Sequence, residues 1–99
     1  MKQEFLEFEW DSNKALRNVH KHEVSFSEAI MVFNDNRAIT FYDDAHSYQE
    51  QRFATIGMSD RGRVLVVSHA VRGENIRLIS ARKATPRERK IYEKEGKQV

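Results

Sequence analysis

The sequence feature that most constrains the fold is a pair of tight turns between three apolar, β-branched segments. Residues 60–62 (Asp-Arg-Gly) and 72–75 (Arg-Gly-Glu-Asn) contain the residue types of short turns, with glycine where a positive φ is required. Strands are therefore predicted at residues 49–58, 64–71 and 76–82. Because connections this short join only antiparallel neighbours, these strands are expected to form a meander, together with a strand at 38–42.

Helix signals lie on both sides of this meander. Asp11 is the predicted N-cap of a helix over residues 12–22, which follows a short strand at 5–10. The buried stripe of this helix is expected to consist of Ala15, Leu16 and Val19. A second helix begins at Ser25, where Glu28 completes the spacing of a capping box, and its predicted buried stripe consists of Phe26, Ala29, Ile30 and Phe33.

The C-terminal segment carries the clearest helix start. Thr85, Pro86 and Glu88 occupy the N-cap, N1 and N3 positions, although this helix has a thin apolar stripe. The predicted order is β-α-α-β-β-β-β-α. This order indicates an α+β fold in which two N-terminal helices and one C-terminal helix pack on an antiparallel meander sheet.

Composition limits the class of protein. A chain of 99 residues with 39% hydrophobic residues is expected to form one domain over residues 1–99. It has no cysteine, so it has no disulfide framework and no thiolate metal site. No apolar run approaches the length of a membrane span, and no signal peptide is recognisable, so a cytoplasmic location is expected.

Hairpin geometry brings charged side chains together at one end of the predicted sheet. Centring the two turns places Arg52 opposite Ala70, and Ala70 opposite Arg77. Glu50 and Arg72 are expected on the next rung and on the same face, beside Asn75. Guanidinium groups in excess over carboxylates are suited to bind a phosphate, whereas the alternative interpretation is an ordinary surface ion-pair network. Arg82 is predicted on the opposite face, unless a β-bulge near Ser80 turns it round.

Four segments, in this order and at this spacing, resemble the BrnT family of toxins: residues 8–11 (FEWD), 21–26 (KHEVSF), 50–52 (EQR) and 77–85 (RLISARKAT). One difference is Glu23, where the family usually has glycine. The resemblance implies a RelE-like fold and a ribonuclease that arrests translation. It also implies a BrnA-like antitoxin with a ribbon-helix-helix part, binding to operator DNA only as the complex, and a toxin homodimer within a heterotetramer.

Metal-free RNA cleavage, as the resemblance implies, requires proton transfer and stabilisation of the charge on the phosphate. The catalytic candidates are His22, Glu50, Arg72, Arg77 and Arg82. The candidates for substrate binding are Lys14, Arg17, Lys21, Arg52 and Tyr92. No metal-ligand motif and no phosphate-binding glycine loop is recognisable, so we expect no metal and no cofactor.

Several of these residues have alternative structural interpretations. Lys21 and His22 also suit a helix C-terminus because of the helix dipole, and Tyr92 suits the core. His46 is interpreted as a loop residue and His69 as a buried structural residue. Two other functions remain open: a non-catalytic module that helps its antitoxin to bind operator DNA, and a toxin whose activity has decayed.

Overall fold

The structure, a computed structural model, describes residues 7–96. The strands are β1 (Glu7–Glu9), β2 (Ile39–Tyr42), β3 (Arg52–Met58), β4 (Val64–Arg72) and β5 (Asn75–Lys83). The helices are α1 (Ser12–His22), α2 (Phe26–Ala29) and α3 (Pro86–Glu95), with 3₁₀ turns at Ile30–Asn34 and Asp44–His46. The α+β class is confirmed. Residues 5 and 6 of the predicted first strand lie outside the described residues.

The five strands form one sheet in the order β1-β5-β4-β3-β2. Strands β2 to β5 are antiparallel neighbours, and Gly62 (φ 79°) and Gly73 (φ 61°) take the positive φ of the two turns. The sheet is nevertheless mixed, because β1 pairs in parallel with β5. Its direction is not fixed by a short turn, since most of the chain lies between these two strands. The expectation of a wholly antiparallel sheet was therefore wrong for β1.

A β-bulge in β5 changes which face Arg82 occupies. Ser68 pairs with Ser80, but the next residue, His69, pairs with Leu78, so Ile79 is an extra residue in β5. Arg77 lies opposite Ala70, and Arg82 lies opposite Val66. Because Val66 and Ala70 are four residues apart on β4, they share a face, and so do the two arginines. The predicted placement of Arg82 on the opposite face was wrong, because the sequence does not mark the inserted residue.

The two faces of the sheet are covered differently. Helices α1 and α2 pack on one face, which we call the closed face, and bury a core that includes Phe26, Val32, Leu65, Val67 and Leu78. Helix α3 covers only part of the other face, which we call the open face. There Tyr92 of α3 packs with Ile56, Val64 and Val66. No helix between residues 7 and 96 covers the part of the open face near the turn between β4 and β5.

Helix α1 begins at the predicted N-cap, but its buried side differs from the prediction. Leu16 is 66% exposed and Val19 is 45% exposed, whereas Asn18 is buried. The Asn18 amide donates to the carbonyl oxygens of Val24 and Ala81 at 2.8 Å and accepts from the amide of Ala81 at 3.1 Å. Beyond its short pairing with β1, the edge of β5 needs hydrogen-bond partners, and Asn18 supplies them. Burial of Asn18 thus turns Leu16 and Val19 outwards.

The segment from the end of α1 into α2 has two further local features, at Glu23 and at Glu28. Glu23 ends α1 in the left-handed region (φ 60°, ψ 34°), where glycine is normally favoured. Ser25 caps α2 as predicted, but the Glu28 side chain does not complete the capping box. It is buried instead, where it accepts hydrogen bonds from Ser59 and Arg63. None of the helices between residues 7 and 96 combines the length and the hydropathy that a membrane span requires.

Candidate active site on the open face of the sheet

The open face brings together the charged residues predicted from the hairpins. Arg52 of β3, Ala70 of β4 and Arg77 of β5 lie on one rung, and Arg72 pairs with Asn75 on the next, as the hairpin geometry predicts. Ala70 has no exposed surface and forms the floor between the two flanking arginines. The register of three neighbouring strands thus fixes the spacing of these guanidinium groups.

We call the group of Arg52, Arg72, Arg77, Glu9 and Glu50 the arginine cluster. Arg52 lies 3.2 Å from Glu50, and Arg77 lies 3.5 Å from Glu9. Arg72 lies 3.9 Å from each of the two carboxylates. Three guanidinium groups therefore share two carboxylates, which leaves one excess positive charge, and all five side chains are between 31% and 55% exposed. Such a cluster can bind an anion without first removing a buried partner.

Glu9 is a member of the cluster that the sequence analysis missed. It lies on β1, directly beside Arg77, and it also accepts a hydrogen bond from the Asn75 amide at 3.3 Å. The contact depends on the parallel pairing of β1 with β5, which joins positions 68 residues apart. The alternation of residues 6–10 indicated a strand, but it carried no information on which strand would be its neighbour.

A cavity of about 540 Å³, which we call the arginine cavity, adjoins the cluster. Its lining residues are His46, Tyr48, Gln49, Glu50, Arg52 and Arg72. His46 comes from the 3₁₀ turn after β2, and its Nδ1 lies 3.0 Å from Oδ2 of Asp43. His46 was predicted from sequence to be a loop residue, without a catalytic or binding role. The spacing Asp-x-x-His across a short turn is the signal that would have found this pair.

Arg82 shares the open face with the cluster but is bound to its own carboxylate. Its two terminal nitrogens donate to Oε1 and Oε2 of Glu88 at 2.7 and 2.9 Å. Arg82 lowers the pKa of Glu88 to about 2, and Glu88 also completes the capping box with Thr85. The predicted capping box at the start of α3 is therefore confirmed, and this bidentate pair ties α3 to β5.

A second basic surface lies on α1 and beside the bulge of β5. A cavity of about 330 Å³, which we call the helix cavity, is lined by Lys14, Arg17, Asn18, Lys21, His22, Ile79 and Ser80. Among residues 7–96, the side chains of Lys14, Arg17 and Lys21 have no salt-bridge partner. His22 lines this cavity and not the arginine cavity. The structure therefore separates His22 from Glu50 and Arg72, with which it was grouped as a catalytic candidate.

Comparison with known proteins assigns the chain to a family. A family model described as the ribonuclease toxin, BrnT, of type II toxin–antitoxin systems matches residues 10–88. The chain belongs to the BrnT family. Among solved structures, the ribonuclease toxin BrnT of Brucella abortus matches with a TM-score of 0.67 and 23% identity, over 82% of this chain and 99% of that one. At this identity the likeness shows the fold. A search of curated proteins found no match.

Membership of the BrnT family means that this chain is a toxin of the ribonuclease type and that an antitoxin is its partner. The matched residues 10–88 include every residue that lines the arginine cavity and the helix cavity. Of the arginine cluster, only Glu9 lies outside the matched range.

Tyr92 does not lie at the site in this BrnT-family chain. It is 4% exposed, and its hydroxyl donates to Oδ2 of Asp35 at 2.6 Å. Burial and the Asp35 carboxylate raise the pKa of Tyr92 to about 12. A buried ring cannot stack on a nucleobase, so the suggestion that Tyr92 binds substrate was wrong, and its alternative interpretation as a core residue agrees with the structure.

No group of three or more histidine, aspartate or glutamate side chains within residues 7–96 is placed to hold a metal ion. The positive charge on the open face is supplied by arginines instead.

Proposed function

We propose that this chain is an endoribonuclease that cleaves RNA without a metal ion and so stops translation. The observation that supports this most is the arginine cluster, in which Arg52, Arg72 and Arg77 share two carboxylates at the edge of an open cavity. A phosphodiester can replace these long contacts because its oxygens match the guanidinium fork. The nucleophile is the 2′-hydroxyl of the RNA itself.

In this proposal the three arginines act by electrostatic stabilisation. Charge develops on the non-bridging phosphate oxygens when the 2′ oxygen attacks, and fixed guanidinium groups lower the energy of that state. Glu50 is placed to orient Arg52 and Arg72, with contacts of 3.2 and 3.9 Å, and stays a candidate for proton transfer. Arg82 takes part only if it leaves Glu88, so we assign it a smaller share than Arg77.

The RNA is proposed to extend from the arginine cluster towards α1. Lys14, Arg17 and Lys21 have no carboxylate partners in the described part of the chain, and they lie beside Ser80, which shares the open face with Arg77 and Arg82. Flanking phosphates would be bound there by charge alone. His22, at the same cavity, would contact these flanking nucleotides and not the scissile phosphate.

The partner is proposed to be a BrnA-like antitoxin with a ribbon-helix-helix part. Its acidic or amphipathic segment would cover the basic open face, in a heterotetramer that contains a toxin homodimer and binds operator DNA only as the complex. A RelE-like fold and action in the cytoplasm complete the proposal. If a wash at about 0.5 M salt leaves the complex intact, the antitoxin is held by apolar contacts and not by charge.

The test is cleavage of a labelled RNA by the purified protein in the presence of EDTA. We expect cleavage to leave a 5′-hydroxyl on one product and a 2′,3′-cyclic phosphate on the other, and to be lost with Arg77→Ala. Arg61→Ala is the matched control, because Arg61 is 72% exposed in the turn between β3 and β4. Cleavage that requires a divalent metal, or leaves a 5′-phosphate, would contradict the mechanism.

Expression of the same variants in cells tests the toxin role. Growth arrest with loss of RNA, abolished by Arg77→Ala and kept by Arg61→Ala, is the expected result. If growth continues, and the protein binds operator DNA only with its antitoxin, the non-catalytic or decayed module is the correct function instead.

A further inference from the structure

We infer that His46, held by Asp43, is the general base for RNA cleavage at the arginine cluster, an inference that rests on the proposed function. It replaces His22, which the structure places at the helix cavity. The inference comes from three observations: the position of His46 between two cavities, its contact with Asp43, and the charges that surround it.

His46 lines two cavities on the open face. It lies in the arginine cavity with Arg52 and Arg72, and it also lines a second cavity of about 520 Å³, which contains Arg82 and Glu88. The imidazole therefore lies where the two arginine-bearing parts of the open face meet. A phosphodiester bound by Arg52 and Arg72 would be within reach of this side chain, which is 64% exposed and needs no rearrangement to meet a substrate.

The contact with Asp43 fixes the useful tautomer of the ring. Nδ1 of His46 lies 3.2 and 3.0 Å from the two carboxylate oxygens of Asp43. Because an ionised carboxylate can only accept, Nδ1 carries the proton and donates, which leaves the lone pair on Nε2. No residue in the described range hydrogen bonds to Nε2. Asp43 is only 28% exposed and comes directly after β2, so it holds the ring from a fixed position.

The surroundings of His46 contain charges of both signs. The turn itself contributes Asp43 and Asp44. The titratable or charged groups that share its two cavities are Tyr42, Tyr48, Glu50, Arg52, Arg72, Arg82 and Glu88. Histidine is the side chain whose ordinary titration range lies nearest neutral pH, which suits a group that must accept a proton and release it in each cycle.

The proposed step is a transesterification at phosphorus. Nε2 of His46 removes the proton from the 2′-hydroxyl while the 2′ oxygen forms a bond to phosphorus. The bond between phosphorus and the 5′ oxygen breaks, the leaving oxygen takes a proton from solvent water, and His46 returns its proton to solvent. The products are a 2′,3′-cyclic phosphate and a 5′-hydroxyl, with no oxidation or reduction. Asp43 is a positioning residue, because it acts only through the ring.

The experiment measures kcat/KM for a short RNA between pH 5 and 9. We expect His46→Gln to lower the rate by about 10²-fold and to remove the acidic limb of the pH profile, with partial rescue by added imidazole. Asp43→Asn should lower the rate less and displace the acidic limb, whereas Asp43→Glu should restore it. His20→Gln is the matched control, since His20 is an exposed histidine on α1 outside both cavities.

The outcomes separate this inference from the proposed function. Wild-type cleavage with an unchanged pH profile in His46→Gln would overturn the role of His46 while leaving the arginine cluster intact. A wild-type protein that cleaves no RNA would overturn both. If His46→Gln loses both its activity and the circular dichroism spectrum of the folded protein, the Asp43 variants decide instead. An Asp43→Glu variant that does not restore the acidic limb lost or displaced in Asp43→Asn would then count against the inference.

Discussion

Polar side chains on the two faces of the sheet differ in how closely they are paired. On the closed side, two buried polar side chains have dedicated partners at short distance: Glu28 accepts from Arg63 and Ser59, and Asn18 satisfies the backbone of Ala81. On the open face, by contrast, Arg52, Arg72 and Arg77 share Glu9 and Glu50 at 3.2 to 3.9 Å. The first arrangement stabilises the fold, whereas the second leaves charge available to a ligand.

This difference shows that an arginine cannot be assigned to ligand binding or to stability until its partners are known. Arg63 and Arg77 are similarly exposed, at 29% and 33%. Arg63 is nonetheless bound to a carboxylate that is only 4% exposed, and the hydrogen bond from Arg63 helps to lower the pKa of Glu28. The two faces should therefore respond oppositely to mutation: the open face in activity and the closed face in stability.

The largest expected effect is on activity, from the open face. Arg52→Ala should lower RNA cleavage by about 10²- to 10³-fold, because it removes a donor to the charge that develops on the phosphate. Its free energy of unfolding should change by less than about 1 kcal/mol, since half-exposed ion pairs contribute little. Urea unfolding and single-turnover cleavage check the two values. A variant that unfolds easily but retains cleavage would reverse the comparison.

The next largest effect is a pH dependence of the free energy of unfolding, caused by His69 on the closed face. Burial lowers the pKa of His69 to about 4, and its Nε2 lies 2.9 Å from the hydroxyl of Thr55. The unfolded chain, with a pKa near 6.5, binds the proton more readily, so stability is complete above pH 6.5 and falls as the pH drops towards 4, by roughly 3 kcal/mol. Thermal unfolding at several pH values measures this, and His69→Gln should flatten the dependence. An equal slope in that variant would contradict the assignment to His69.

Arg63→Met tests the dedicated pair directly. It leaves the Glu28 carboxylate buried without its main partner, so we expect a loss of about 2 kcal/mol in the free energy of unfolding, reduced from the value for a fully buried pair because Arg63 is partly exposed. The double variant Glu28→Met, Arg63→Met should recover part of this loss. At a temperature where Arg63→Met is folded, its RNA cleavage should equal that of the wild type. Strongly reduced cleavage by the folded variant would contradict the division between the faces.

Arg82 is the intermediate case, since it lies on the open face but has a dedicated partner. Arg82→Met should destabilise the protein by about 1 kcal/mol, through loss of the bidentate pair with Glu88 that holds α3. Cleavage should fall by less than in Arg77→Ala. If Arg82→Met abolishes cleavage while Glu88→Gln, which weakens the same tie to α3, does not, Arg82 contacts the substrate and belongs with the cluster.

The smallest expected effect is a gain, and it lies outside both faces. Glu23 adopts φ 60° at the end of α1, and its amide donates to the carbonyl oxygen of Val19 at 2.8 Å. Glycine takes this conformation without a Cβ penalty, so Glu23→Gly should raise the free energy of unfolding by about 0.5 to 1 kcal/mol. Asn, which tolerates the left-handed region, should give a smaller gain. A loss of stability in Glu23→Gly would show that the Glu23 side chain stabilises the turn.

The fold was predictable from sequence wherever short turns set the register. The turns at 60–62 and 72–75 fixed the pairing of Arg52 with Ala70 and of Ala70 with Arg77. The parallel partner of β1 and the bulge at Ile79 were not predictable, because one is a contact between distant segments and the other is a single inserted residue without a sequence signal. The exposed side of α1 was mispredicted because Asn18 is buried for its hydrogen bonds and not for hydrophobicity.

The candidate site was predictable to the same extent. The hairpin register predicted that four residues of the cluster would meet: Glu50, Arg52, Arg72 and Arg77. The contact of Glu9 depends instead on where β1 joins the sheet. His46 depends on how the turn after β2 folds back over the sheet. Each missing residue thus belongs to a contact that no short turn determines.

The most direct test of the central claim is NMR of the arginine side chains while a 2′-deoxy oligonucleotide, which cannot be cleaved, is added to the protein. The account predicts saturable shifts of the Nε–Hε resonances of Arg52, Arg72 and Arg77, with those of Arg61 and Arg63 unchanged. Shifts confined to Arg61 and Arg63, or no shift in the cluster at saturating oligonucleotide, would contradict it.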